Sequence, residues 1–339
     1  MRLGIIGTGA IAHKHAQAYK NIGYELVVCA ATTSERAKSF ADQYHCEPVE
    51  CWQSLCRRDD LNFVDVCTFP DFRLPAVELC GETKKHIQVQ KPIATSLDTA
   101  REMIATANRA GILLNVVSQH RFDESSQFLK RNLHRLGKLL QADAYVKWYR
   151  PPAYYSRPAK GSWAIEGGGA LINQGIHQVD LLLWLAGPVS RVSAEWQIGA
   201  AHDIESEDIV SAVLRYKSGA TGVIQAATAF KPGYPERLEF HGTRGTAIVT
   251  GDRLTTWDVE NDSGDPPPLS SSVASGASEP MAISLAPFER QFLDFGEAIR
   301  TRRQPLVNGE EGYRALELVT AIYESCRESN PVTVENACE

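Results

Sequence analysis

The chain has 339 residues, 43% of them hydrophobic and 22% charged, with 35 lysines and arginines against 41 acidic side chains and a formal net charge of −6. That balance excludes a disordered chain, and it offers no basic face to phosphate backbones or anionic membranes, so neither nucleic acid nor a membrane is an expected partner. At roughly 100–200 residues per domain, the length holds one large or two medium domains.

From the N-terminus, residues 2–6 predict a short apolar strand, Gly7 to Gly9 a tight turn, 10–22 a helix and 25–31 a second apolar strand, together a βαβ unit. The alternation continues with strands at 63–69, 86–90 and 112–118 and helices at 74–83 and 96–110, the last opened by Ser96 as N-cap and closed by Gly111. Apolar strands alternating with helices imply an α/β fold, a doubly wound parallel sheet covered on both faces. Beyond residue 120 the pattern changes. Helical stretches at 123–136 and 169–185 stand among runs rich in Val, Thr, Tyr and Trp at 141–149, 189–198, 208–216, 220–229, 236–241 and 245–250. Joined by turns such as Lys217-Ser218-Gly219, these runs predict an antiparallel sheet, and the domain boundary falls near residue 119. The Ser, Pro and Gly rich segment 261–280 reads as a mobile surface loop, and helices follow at 287–303 and 310–328.

Eight cysteines, at 29, 46, 51, 56, 67, 80, 326 and 338, include no Cys-x-x-Cys pair, so free thiols in a reducing compartment are expected. His45-Cys46 with Cys51 and Cys56 lacks the paired spacing of a tetrahedral zinc site, and no metal is expected. No apolar stretch approaches the ~18–20 residues that span a bilayer. Glycines interrupt the N-terminal apolar run where a signal peptide needs its core, so the expected location is the cytoplasm.

Three constellations carry chemistry. Gly7-Thr8-Gly9-Ala10-Ile11-Ala12 lies directly between the first strand and the first helix. Gly7 permits the turn, Gly9 lets a pyrophosphate approach the backbone and Ala12 lets helix and strand close up, so Gly7, Gly9, Ala10, Ile11 and Ala12 predict a dinucleotide site. The second strand then runs into Thr32-Thr33-Ser34-Glu35-Arg36 with no carboxylate at Ala31 for a ribose 2′-hydroxyl. Thr32, Thr33, Ser34 and Arg36 can donate to a 2′-phosphate, which favours NADP; if Glu35 takes the ribose and Arg36 is solvated, the cofactor is NAD.

The second constellation, Gln90-Lys91-Pro92, ends a strand at the sheet edge where open α/β proteins bind ligands, so Lys91 and Pro92 face cofactor or substrate. In the third, Gly167-Gly168-Gly169 opens a helix on which Asn173 and His177 stand four residues apart on one face. An amide and an imidazole so placed can meet one substrate hydroxyl, and histidine carries protons near neutral pH. Asp180 is placed either to orient the helix or imidazole or to serve an ordinary capping role.

In order and spacing, these segments and the stretch carrying Phe295, Ala298-Ile299-Arg300, Gly312 and Ala321-Ile322-Tyr323 resemble the Gfo/Idh/MocA oxidoreductases over nearly the whole chain. The resemblance implies a Rossmann domain over residues 1–119 and a substrate-binding α+β domain over 120–339, whose open, mostly antiparallel sheet makes a homodimer or homotetramer. It implies NAD(P)-dependent hydride transfer at a secondary hydroxyl or ketone of a sugar, glycoside, nucleotide sugar or cyclitol lying between the domains. Lys91 takes the position of the family's active-site lysine and His177 that of its catalytic histidine. Asn173 stands where many members have aspartate, so His177 and Lys91 are left to carry the proton chemistry. Gln90 replaces a glutamate, and Leu74 a common histidine. The run containing Arg121, Tyr154, Lys160 and Trp163 resembles a substrate-lining loop, with interdomain packing or oligomer contact as the plainer reading. Two other activities stay open on this fold: a glycosidase that oxidises its substrate transiently, and a dinucleotide-binding regulator without turnover.

Overall fold

Alternating apolar strands and helices fold as their periodicity demands in the computed structural model, which describes residues 1–157, 159–265, 267–270, 275, 277 and 284–335. Of the segment 261–280, residues 266, 271–274, 276 and 278–280 lie outside the described residues, as does Cys338. The chain divides into two units. One comprises Met1–Gln119 with Leu285–Tyr313, and the other His120–Ser284 with Arg314–Glu339.

The first unit runs β1 (Arg2–Ile6), α1 (Ala10–Asn21), β2 (Glu25–Ala30), α2 (Ser34–Tyr44), β3 (Glu47–Val49), α3 (Trp52–Cys56), β4 (Phe63–Val66), α4 (Arg73–Glu82), β5 (His86–Val89), α5 (Leu97–Ala110) and β6 (Leu114–Val116). Its six strands are parallel and ordered β3-β2-β1-β4-β5-β6. The winding reverses direction at β1 and β4, which opens the crevice where such sheets bind ligands. Ile5, Val28, Val64, Val66 and Ile87 are wholly buried, as strands covered on both faces must be. Helix α5 is bounded by the predicted signals: Ser96 Oγ accepts from the Thr99 N–H at 3.2 Å, and Gly111 takes φ +70°. The apolar run predicted at 63–69 stops as a strand at Val66, because a 3₁₀ turn begins at Pro70.

In the second unit come α6 (Glu124–Asn132), β7 (Leu139–Lys147), α7 (Pro152–Tyr155), α8 (Trp163–Glu166) and α9 (Ile176–Ala186). Strands β8 (Val189–Ile198), β9 (Glu207–Tyr216), β10 (Thr221–Ala227), β11 (Arg237–Gly242), β12 (Gly245–Thr250) and β13 (Arg253–Val259) follow, with β14 (Val332–Thr333) near the C-terminus. The sheet order is β13-β12-β11-β7-β10-β9-β8-β14, antiparallel except for the pair β7 and β10. Along β9, Val210, Ala212, Leu214 and Tyr216 are buried while Ser211, Val213 and Arg215 are exposed, so one face of the sheet is covered and the other is not. Between α6 and β7, Leu133–Leu136 tightens into a 3₁₀ turn that ends at Gly137 with φ +80°.

Helix α10 (Ala286–Thr301) belongs to the first unit, a stretch that chain order alone puts with the second. Its Phe292 stacks on Tyr19 at 4.4 Å and its Phe295 meets Phe63 edge-on at 5.1 Å. Helix α11 spans Gly309–Glu328. No helix among the described residues is long and apolar enough to cross a membrane.

Candidate active site

The turn after β1 is built for close approach. Gly7 takes φ +92° and donates its N–H to the Ala30 carbonyl at 2.8 Å; a Cβ there would press on the Cys67 carbonyl oxygen at 3.0 Å. Gly9 is the N-cap of α1, without a side-chain cap, and a Cβ built on it meets nothing within 4 Å. A helix start without a side-chain cap, with open space beside Gly9, fits a pyrophosphate, and Ala12 is wholly buried. Past β2, the Thr33 hydroxyl caps α2 by accepting from the Arg36 N–H at 3.3 Å and keeps its own proton to donate. Thr32, Thr33, Ser34 and Arg36 are all exposed.

Lys91 follows β5 and is half-buried, joined to Pro92 by a cis peptide. Its backbone N–H donates to Gln90 Oε1 at 3.3 Å. The Gln90 amide nitrogen lies 2.7 Å from His15 Nε2, and since that nitrogen can only donate, His15 Nε2 accepts and His15 Nδ1–H donates to Asp65 Oδ2 at 2.7 Å. The string continues inward: Tyr19 donates to Asp65 at 2.8 Å, Gln88 to Tyr19 at 2.6 Å, and Asn115 to Gln88 at 2.8 Å. His15, Tyr19, Asp65, Gln88 and Asn115 are each 0% exposed. Linked polar groups in a dry core stiffen whatever they terminate on, here the amide that holds Lys91.

Arg73 holds the same turn from α4. Its buried guanidinium donates to the carbonyls of Gln90, Pro92 and Thr68, the last at 2.7 Å. Burial pushes Arg73 down to about 9, against the pull of Cys67, Asp71 and Asp65. The sequence pointed to Lys91 but not to this bracket on either side of it.

In the second unit the three glycines serve one carboxylate. Gly167 and Gly168 take φ +84° and +144°; Gly169 N–H donates to Glu207 Oε2 at 2.8 Å, and Leu171 N–H and the Tyr323 hydroxyl donate to Oε1 at 2.8 Å each. A Cβ on Gly169 would fall 1.8 Å from the Glu207 carbonyl oxygen, so glycine is what lets β9 reach the turn. A π turn, Leu171–Gly175, carries Asn173 and leads into α9, which carries His177. Such widened turns concentrate at functional sites. The His177 ring lies edge-to-face with His120 at 5.0 Å and 84°, and His120 Nδ1 is 2.8 Å from Asp123 Oδ2.

Burial pushes Glu207 from 4.5 up to about 7, against its three donors. A carboxyl that holds its proton more tightly when folded contributes stability that is complete below about 4.5 and lost as pH rises through about 7, roughly 3 kcal/mol here. Urea unfolding across that window should show the native chain losing more stability than Glu207→Gln; equal losses would contradict it.

The aromatic and basic run is engaged with this same framework. Arg121, 2% exposed, grips Asp180 of α9 through Nε to Oδ2 at 2.9 Å and Nη2 to Oδ1 at 2.6 Å. Lys160 pairs with Glu166, its ammonium 5.1 Å above the Tyr154 ring, and Gln174, next to Asn173, donates to the Tyr154 hydroxyl at 3.2 Å. Trp163 donates twice to Glu205, at 2.7 and 2.9 Å, and packs edge-on against Tyr323. The seven described cysteines are in no disulfide. Two groups of three donors suited to a metal ion converge among the described residues, His15 with Asp65 and Cys67, and Asp143 with Glu239 and His241. Neither includes Cys46, Cys51 or Cys56.

A family model described as an oxidoreductase family with an NAD-binding Rossmann fold matches residues 1–118, and one for the GFO/IDH/MocA C-terminal domain matches residues 132–248. Myo-inositol 2-dehydrogenase of Thermotoga maritima is 26% identical, over 99% of both chains, and the uncharacterized oxidoreductase YrbE of Bacillus subtilis is 27% identical, over 98% of this chain and 96% of its own. The crystal structure of the WlbA dehydrogenase from Bordetella pertussis, in complex with NADH and UDP-GlcNAcA, is similar with a TM-score of 0.86 and 27% identity, over 98% of each chain.

Proposed function

The chain belongs to the Gfo/Idh/MocA oxidoreductases, and on that premise we propose that it moves a hydride between a nicotinamide dinucleotide and a secondary hydroxyl or ketone of a sugar, glycoside, nucleotide sugar or cyclitol. The observation that carries this reading is the buried string from His15, on the helix behind the Gly9 turn, to the amide gripping Lys91. It ties the phosphate turn and the lysine into one stiff assembly. Gly7, Gly9, Ala10, Ile11 and Ala12 would hold the dinucleotide, which would supply the hydride acceptor or donor.

In oxidation, His177 takes the hydroxyl proton and the Lys91 ammonium stabilises negative charge growing on the oxygen; reduction reverses these roles. Asn173 offers hydrogen bonds without accepting a proton, so it orients the hydroxyl. Tyr154, Lys160 and Trp163 border the substrate, with Arg121 fixing the helix that presents His177. Thr32, Thr33, Ser34 and Arg36 favour NADP over NAD. Self-association as a dimer or tetramer is assigned to the uncovered face of the second sheet, where Val213 is exposed.

The test follows absorbance of the reduced nicotinamide over a panel of sugars, nucleotide sugars and cyclitols, with each cofactor and in both directions. We expect turnover with at least one member, a lower KM for NADP than for NAD, and loss of that difference in Arg36→Ala. No absorbance change with any member would overturn the reading.

A further inference from the structure

Beside the helix that carries His177, the fold places a second histidine paired with a carboxylate. His120 and Asp123 come from the turn leading into α6, with Asp123 as the N-cap residue of that helix. His120 Nδ1 lies 2.8 Å from the Asp123 carboxylate, and the His120 ring stands perpendicular to the His177 ring, centroids 5.0 Å apart. Resting on the reading above, in which His177 takes the substrate proton, we propose that the Asp123–His120 pair is a positioning element that keeps His177 neutral and therefore able to accept that proton.

The charged surroundings agree with this. Burial lowers the tendency of His120 to hold a proton, but Asp123, by charge and hydrogen bond, and then Glu236 and Asp252 raise it, and the net shift is upward. His120 is thus cationic to higher pH than an ordinary imidazole. A cation 5.0 Å from His177 opposes a second positive charge there. Asp180, three residues along α9, is paired with Arg121 as His120 is paired with Asp123, and in the second pair the His120 ring itself meets the His177 ring. The placement also fixes the ring, since an edge-to-face neighbour restricts the angles His177 can sample.

The experiment titrates the full chain, labelled in its histidine rings, by NMR, with the His177 signal assigned by its loss in His177→Gln. No substrate is needed. In the native chain His177 should titrate below the usual 6.5 or so. In His120→Phe, which keeps a ring but not the charge, its midpoint should rise by about one pH unit. Asp123→Asn, which removes the carboxylate charge that holds the proton on His120, should move it the same way. A purely structural role would alter unfolding midpoints and leave the His177 titration in place. The same His177 midpoint in the native chain and both variants would overturn the proposal. If His177→Gln turns over normally, the assignment of His177 as base fails instead, whatever the titration shows.

Discussion

Replacing Lys91 by alanine lowers kcat roughly 10²- to 10³-fold, with kcat/KM falling in step and dinucleotide affinity unchanged. The reason is the kind of contact proposed for Lys91. An ammonium that meets a neutral hydroxyl in the ground state and a growing alkoxide in the transition state contributes mainly to the latter, so its loss appears in kcat. The turn proposed to hold the dinucleotide is built from Gly7, Gly9 and Ala12. The bracket on Lys91 is made to its backbone, by Gln90 Oε1 on the N–H and by Arg73 on the flanking carbonyls, so the alanine variant keeps the turn. The companion measurement is the double variant with His177→Ala. If both side chains serve one oxygen, the double variant is little slower than the slower single one. Near-normal turnover in Lys91→Ala refutes the assignment, and fully additive losses separate the two residues into different roles.

What sequence could show of this protein follows from how local each signal is. Gly7, Gly9 and Ala12 were legible because a strand, a turn and a helix start lie within a dozen residues and each glycine has a steric reason in that span. Ser96 and Gly111 were legible for the same cause. The bracket on Lys91 was not, because it is assembled from α1, β4, α4 and β5, and a histidine at 15 or an arginine at 73 has no neighbour in sequence that discloses its partner. Glu207 was hidden likewise: it opens an ordinary alternating strand, and only the fold brings its carboxylate beneath Gly169 and Leu171, 38 and 36 residues away. Helix α10 carries Phe288, Phe292 and Phe295 at helical spacing, which predicts a buried stripe but not the aromatic residues, Tyr19 and Phe63, that cover it. The π turn escaped because one extra residue per turn leaves the apolar pattern of Leu171, Ile172 and Ile176 unchanged in kind.

The polar residues at 88, 90 and 115 show the same limit from another side. Gln88 and Asn115 lie within predicted apolar strands, where a single polar side chain looks like a break in the pattern. In the structure each is a fully buried member of the string to Lys91. Gln90 is the residue that makes the string coherent. Its amide donates to His15 and accepts from Lys91 at once, whereas a carboxylate could only accept and would need a proton from His15 Nε2 as well as Nδ1. The amide therefore lets His15 Nε2 accept while Nδ1–H donates to Asp65.

Arg121→Ala is expected to cost about 3–5 kcal/mol of stability, because it strands a buried carboxylate. The guanidinium covers both oxygens of Asp180 in a two-point contact and lies 5.4 Å from the Trp184 ring, with both partners almost fully buried. Asp180 shares α9 with His177, so an uncompensated charge there disturbs the element that presents the imidazole. The expected signature separates this role from direct contact with substrate. Urea unfolding moves to a lower midpoint in Arg121→Ala, and the double change Arg121→Met with Asp180→Leu recovers most of the loss, since two apolar side chains can replace a buried ion pair with little penalty. A residue that held the substrate instead would leave the midpoint in place and raise KM, and the double change would not restore it. An unchanged midpoint in the alanine variant would therefore return Arg121 to the substrate-binding set and leave the orientation of α9 to the turn at Gly169 and its grip on Glu207.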